Sequence, residues 1–177
     1  MLAVKGFIKG HFPKFWASVT RIRSASALVP FGLRLLNTIV QRFFRVNGDV
    51  PWMVNYTSRV ILPKNIQIGK NVWVSFAVSN SCYIQGGNGI KIGDDTIFAP
   101  GVKIISANHS PNALDHWMPS GPIEIGQKCW LGANSVILPD VKLGDGCIVG
   151  AGAVVTKSFP AGSILIGIPA RNIQSEK

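Results

Sequence analysis

Among 177 residues the side chains able to move a proton or hold a metal are few: three histidines (His11, His109, His116), three cysteines (Cys82, Cys129, Cys147) and eight acidic residues. His109 sits in the run Ser106-Ala107-Asn108-His109-Ser110, and His116 follows within a stretch that carries Pro111, Pro119 and Pro122. A neutral imidazole is matched to taking a proton from a hydroxyl near neutral pH. Two imidazoles in one loop also raise the question of a metal. A third ligand is missing, because His11 lies far upstream in a basic stretch, so no metal is expected. Gly150-Ala151-Gly152 ahead of Thr156-Lys157 lacks the Gly-Lys-Ser/Thr order of a phosphate loop, and no serine stands in a nucleophile elbow. Asp94, Asp95, Asp140 and Asp145 stand at turn-like positions beside Gly or Pro and read as turn residues.

The elements that hold these residues follow from a repeat. From Ile125 an aliphatic residue recurs at every sixth position: Ile125, Leu131, Ile137, Leu143, Val149, Val155. Glycines 126, 132, 144 and 150 follow members of that series, and compact Cys129, Ser135, Val141, Cys147 and Ala153 stand four positions after its members. The same register extends upstream through Leu62, Ile68, Val74, Asn80, Gly86, Ile92, Phe98 and Ile104. Six residues fit neither a helix period of 3.6 nor a strand period of 2. They do fit a short strand plus a corner, three to a coil, with one aliphatic per strand stacked on the next coil about 4.8 Å away. The reading is an all-β parallel β-helix of about five mutually dependent coils. Cys129 and Cys147, in equivalent positions of adjacent coils, are then core side chains rather than nucleophiles. From Ile104 to Ile125 is 21 residues, and this stretch has no register. It is expected to leave the prism as an extended loop over residues 110–122, with His109 at its base. Pro160 and Pro169 are expected to stop further coils.

Composition sets bounds on both reading and partners. The chain is 47% hydrophobic and 15% charged, with 19 Gly and 11 Pro, which excludes a disordered chain and disfavours a helical bundle. Three cysteines make no disulfide framework, so a reducing compartment is expected. The formal charge of +10 is concentrated in residues 1–48, which hold eight basic side chains and no acid. Lys5, Lys9 and Lys14 interrupt any apolar run of secretory length, and 27–40 is too short to span a bilayer. Residues 1–48 are read as a basic amphipathic helical segment, separate from the domain of residues 49–177. Over 31–45 a helical wheel gathers Leu33, Leu36, Ile39, Val40, Phe43 and Phe44 on one side, opposite Arg34, Asn37, Thr38, Gln41, Arg42 and Arg45. With Phe7, Phe12, Phe15 and Trp16 ahead of it, residues 1–45 suit peripheral association with an anionic membrane. The alternative is an apolar face packed on the prism or on a neighbouring subunit. Nucleic acid is not expected, because no recognition motif accompanies the charge.

The hexads from Ile125 to Pro160, preceded by Ser106-Ala107-Asn108-His109-Ser110 and followed by Gly167-Ile168-Pro169-Ala170-Arg171-Asn172-Ile173, resemble the hexapeptide-repeat acyltransferases. The likeness is greatest to the galactoside and maltose O-acetyltransferases and the bacterial polysaccharide O-acetyltransferases. It spans residues 62–173. It implies a left-handed coil, against the usual crossover hand, and a homotrimer with active sites between subunits. It also implies acetyl-CoA as co-substrate and a cytoplasmic protein. Residue by residue it implies His109 as catalytic base and Trp130 lining the transfer cleft. Ala133, Ala151, Thr156, Lys157 and Arg171 would contact the coenzyme, with Lys157 and Arg171 as cations near its phosphates. Asn80, Asn108, His116 and Trp117 are expected toward the acceptor.

The reaction these residues suit is acetyl transfer to a hydroxyl of a cell-envelope polysaccharide or its lipid-linked precursor. A free sugar, a nucleotide-sugar amine or an antibiotic are alternative acceptors. A non-catalytic β-helix scaffold and a zinc hydratase on the same prism are the readings from other classes.

Overall fold

The computed structural model describes residues 28–174. Lys5, Lys9, Lys14, Arg21, Arg23, His11 and the aromatic cluster Phe7, Phe12, Phe15 and Trp16 lie outside the described residues, as do residues 175–177.

Three ladders wind into a prism. The first face stacks β1 (Arg59–Ile61), β3 (Tyr83–Gln85), β6 (Lys103–Ile105), β11 (Val136–Ile137) and β14 (Val154–Val155). The second stacks β2 (Ile66–Ile68), β4 (Ile90–Ile92), β9 (Ile123–Ile125) and β12 (Lys142–Leu143). The third stacks β5 (Ile97–Phe98), β10 (Trp130–Leu131), β13 (Ile148–Val149), β15 (Ile164–Ile166) and β16 (Arg171–Asn172). All pairings within the faces are parallel except the last, β15 with β16. The six-residue register holds throughout the second half: Leu131 is paired with Val149 and Phe98, Ile137 with Val155 and Ile104, and Ile125 with Leu143 and Ile92. These side chains form one continuous buried core, whose removal from water drives the stacking.

The corners divide their work in a way the repeat alone does not reveal. Left-handed backbone falls at the third residue after each stacked aliphatic: Lys128, Asn134, Asp140, Gly146 and Gly152 have φ of 53°, 56°, 64°, 66° and 69°. The glycines directly after the aliphatics serve close approach instead. A Cβ on Gly132 would lie 2.7 Å from the backbone N of Ala151 and the carbonyl O of Val149 in the next coil. Asp94 and Asp145 also reach between coils, accepting hydrogen bonds from the backbone N–H of Lys70 (2.8 Å) and Gln127 (2.9 Å). The Gln127 side chain adds a second donor to Asp145, and together these hold its carboxyl below the usual carboxylate range.

Upstream the expected register fails. Ile104 stacks on Ile84, and Ile84 on Val60, where the six-residue register would set Ile104 on Gly86 and Gly86 on Ile68. The corners between the first and second faces carry two extra residues there. Leu62 (φ 54°) and Gly86 are corner residues, and Leu62 leads into a 3₁₀ turn over Pro63–Asn65. On the third face the first strand is replaced by a short helix, named α2 (Trp73–Val78). Its Phe76, not Val74, supplies the core, packing edge-on against Phe98 at 5.0 Å between ring centroids. The expected stop at Pro160 is also displaced. β15 adds a further rung, Leu165 beside Val149, and the stack ends only where the chain reverses into antiparallel β16.

The helix before the prism, α1 (Phe31–Thr38), continues into a π-helical turn over Ile39–Phe43. The side bearing Asn37 and Gln41, flanked by half-buried Leu33 and Val40, faces the prism. Asn37 and Gln41 are buried, whereas Phe31, Leu35, Leu36, Ile39, Phe43 and Phe44 are exposed. The cause is a set of backbone groups at the prism entrance that need partners. Asn37 donates to the Ala77 carbonyl (3.0 Å) and accepts from Tyr56 N–H (3.0 Å). Gln41 donates to the carbonyls of Val50 and Trp52 and accepts from Val54 N–H. Leaving such buried groups unpaired costs more than leaving an apolar face in water.

Candidate active site

His109 is presented by a rung that breaks. After β6 the chain should turn onto the second face, but it leaves as a hairpin, β7 (His109–Ser110) antiparallel to β8 (Ala113–Trp117), and rejoins at Ile123. The expected loop is therefore a two-stranded ribbon. His109 stands opposite Trp117, with ring centroids 6.4 Å apart and planes at 79°. Met118 N–H donates to the Asn108 carbonyl at 2.8 Å and closes the ribbon's base.

The base is fixed by residues the sequence reading treats as filler. Buried Gln85 accepts from Ala107 N–H at 3.0 Å through its side chain, and its own carbonyl accepts from Ser106 N–H and from the Ser106 hydroxyl. Asn88 N–H donates to the Ser106 hydroxyl (3.0 Å), and the Asn88 amide holds the returning leg through the Met118 carbonyl and the Ser120 hydroxyl. Gly87 lets the layers touch: a Cβ there would be 2.6 Å from the Ala107 Cβ and 3.1 Å from the Trp117 ring. The tract from Gly86 to Gly89 is thus a packed platform.

The remaining candidates fall into groups. His116 alternates to the ribbon face opposite His109 and Trp117, where its exposed Nδ1 lies 2.9 Å from Asp115 Oδ1. Asn80 occupies the corner before β3, its carbonyl accepting from Gly101 N–H, so it and His109 flank opposite ends of the first face. Trp130 stands half-exposed on the third face. Ala133 and Ala151 share the next corner, bridged by Gly152 N–H to the Ala133 carbonyl at 2.8 Å, and exposed Arg171 lies in the terminal strand of the third face. Thr156 and Lys157 follow β14 on the corner that, two coils earlier in the stack, launches the ribbon; Lys157 Nζ sits 5.7 Å from the Phe159 ring centroid.

One chain therefore carries the two sets on either side of the first face, up to about 17 Å apart over five extended residues. A groove of about 700 Å³ along the second face, between Lys91, Glu124, Lys142 and Phe159, does not include His109. Among the described residues no three His, Cys, Asp or Glu converge as metal ligands. All three cysteines are buried; burial pushes the Cys82 thiol up, and the hydrogen bond between Cys129 and Cys147 pushes Cys129 up, burial adding to it, while holding Cys147 down to about 7. Among the described residues no helix is long and apolar enough to cross a membrane.

Such an arrangement can take up a proton at an exposed imidazole beside an aromatic wall, on a support that does not yield. Residues 122–157 match the bacterial transferase hexapeptide family (six repeats). The galactoside O-acetyltransferase of Escherichia coli (strain K12) is 31% identical over 140 residues, which are 77% of this chain and 66% of that enzyme, just under two thirds of its length. A maltose O-acetyltransferase from Clostridium difficile 630 superposes with a TM-score of 0.57 at 25% identity, covering 88% of this chain and 86% of its own. A hexapeptide-repeat acetyltransferase from Vibrio cholerae O1 biovar eltor, solved with acetyl coenzyme A, gives 0.58 at 26% identity over 86% and 85%. The chain belongs to the hexapeptide-repeat transferase family, homologous to the galactoside and maltose O-acetyltransferases and folded as their left-handed parallel β-helix.

Proposed function

We propose that the protein is an acetyl-CoA-dependent O-acetyltransferase whose general base is His109, and whose acceptor is a sugar hydroxyl of a cell-envelope polysaccharide or its lipid-linked precursor. The observation that carries this reading is the rigid presentation of the His109 ring on the ribbon beside Trp117, where a hydroxyl can approach from solvent. His109 takes the hydroxyl proton as the oxygen attacks the thioester carbonyl. The tetrahedral intermediate, held by N–H donors of the cleft, then expels the coenzyme thiolate, which recovers that proton from the imidazolium. Trp130, Ala133, Ala151, Thr156, Lys157 and Arg171 hold the coenzyme in this reading. Because these residues lie on both sides of the first face, a second copy set against that face would complete each site, which fits a homotrimer with sites between subunits. Such a reaction belongs in the cytoplasm, where acetyl-CoA is made and thiols stay reduced.

The test is thiol release from acetyl-CoA with simple sugars and lysate glycolipids as acceptors. His109→Ala should lower turnover by about 10²–10⁴-fold with an unchanged melting curve. Near-wild-type turnover in that variant refutes the assignment. Titration with coenzyme A separates the enzyme from a non-catalytic scaffold, which has no reason to bind it.

A further inference from the structure

We propose that the outer face of α1 and its π-helical turn is a docking surface for an anionic phospholipid bilayer. The face is an uninterrupted apolar row. Phe31 is 81% exposed, Phe43 79%, Phe44 64% and Leu35 53%, with Leu36 and Ile39 beside them. A soluble surface rarely leaves so many large side chains in water without a partner.

The helix cannot turn this face inward, because Asn37 and Gln41 on the opposite side are committed to the buried backbone of Val50, Trp52, Val54, Tyr56 and Ala77. The amides act as pins that keep the apolar row pointing away from the prism. Exposed Arg34, Arg42 and Arg45 flank the row, and no acid occurs before Asp49.

Charge decides among occupants. Apolar side chains that dip below the headgroups while arginines remain at the phosphate level match an anionic interface. A two-fold contact of this face with itself would set arginine against arginine with no acid to relieve them; a contact with a different face of a second copy is what the elution volume below reads. The surface stands on the fold alone and owes nothing to acetyl transfer.

Flotation of the full chain with vesicles tests it, using phosphatidylcholine alone or with one third phosphatidylglycerol. The protein should float with the anionic vesicles, bind the zwitterionic ones at least about tenfold less, and release in high salt. Leu35→Glu with Phe43→Glu should reduce binding by at least about tenfold while leaving the melting temperature and elution volume as they were. Leu35→Ser with Phe43→Ser, which adds no charge, should weaken binding in the same direction. Replacing Arg34, Arg42 and Arg45 by Gln should abolish the preference for anionic vesicles. His109→Ala should float like the wild type, which keeps this result separate from the catalytic one. Failure of the wild type to float, wild-type binding by both Leu35/Phe43 variants, or a variant that elutes as a smaller species, marking the face as an interface between copies, would each overturn the proposal.

Discussion

Replacing Gly87 by alanine adds one methyl group at the place where the rung bearing His109 leaves the prism. The added Cβ falls 2.6 Å from the Ala107 Cβ and 3.1 Å from Cε3 and Cζ3 of Trp117. Two carbons settle at about 3.5–4.0 Å, so relief needs a shift of roughly 1 Å. Ala107 is bonded through its N–H to Gln85, and the returning leg is held by Asn88, so the ribbon as a whole has to move. Overpacking of this kind costs about 1–3 kcal/mol, a fraction of the ~5–15 kcal/mol that holds a domain folded. The variant should therefore still be a prism. Misplacing a reacting group by about 1 Å costs on the order of 10²-fold in rate, and turnover in thiol release from acetyl-CoA should fall by that factor. Ala107→Gly in the same chain removes the shorter contact and should recover most of the loss, whereas Ala107→Gly alone should do little. Wild-type turnover in Gly87→Ala, or a double variant no better than the single one, would show that the platform does not set the position of His109.

Two further substitutions test the packing argument. Asn37→Leu leaves the Tyr56 N–H without its partner and the Ala77 carbonyl with only the longer bond from the Asn55 amide (3.4 Å); a loss of about 1–3 kcal/mol is expected, read as a lower midpoint in urea unfolding. Ser135→Ala should go the other way: its buried hydroxyl has no partner among the described residues, so removing it should raise the melting temperature by roughly 2–4 °C.

The sequence was most readable where one residue type has one job. From Ile125 to Val155 each aliphatic is a stacked core residue and each compact fourth neighbour is buried, because a coil of fixed length leaves the pattern no freedom. Upstream, Gly86 and Asn80 occupied register positions without a side chain to stack. Their weakness was the trace of corners lengthened by two residues and of a strand exchanged for α2. Coil length is set by the corner, and corner residues carry little hydrophobic signal. The amphipathic pattern of residues 31–45 gave a helix but not its buried side, which runs through Asn37 and Gln41 with half-buried Leu33 and Val40 and so cuts across both sides of the wheel, since that choice is made by backbone groups at residues 50–56 and at Ala77. The broken rung and His109 were legible as an interruption. Gln85, Gly87 and Asn88, which hold that rung, were not, because their partners lie a full coil away.

Reversal of the chain into β16 has a consequence for the protein's behaviour in bulk. A ladder of parallel rungs is an open template: the last strand of each face offers free N–H and C=O groups to whatever extended segment comes next. Here the backbone of residues 167–170 bonds to Val154, the lone bridge at Phe159 covers Leu143, and the antiparallel strand covers β15. These few residues act as a chain terminator, and a protein cut before Gly167 would expose growing ends from which fibres could elongate.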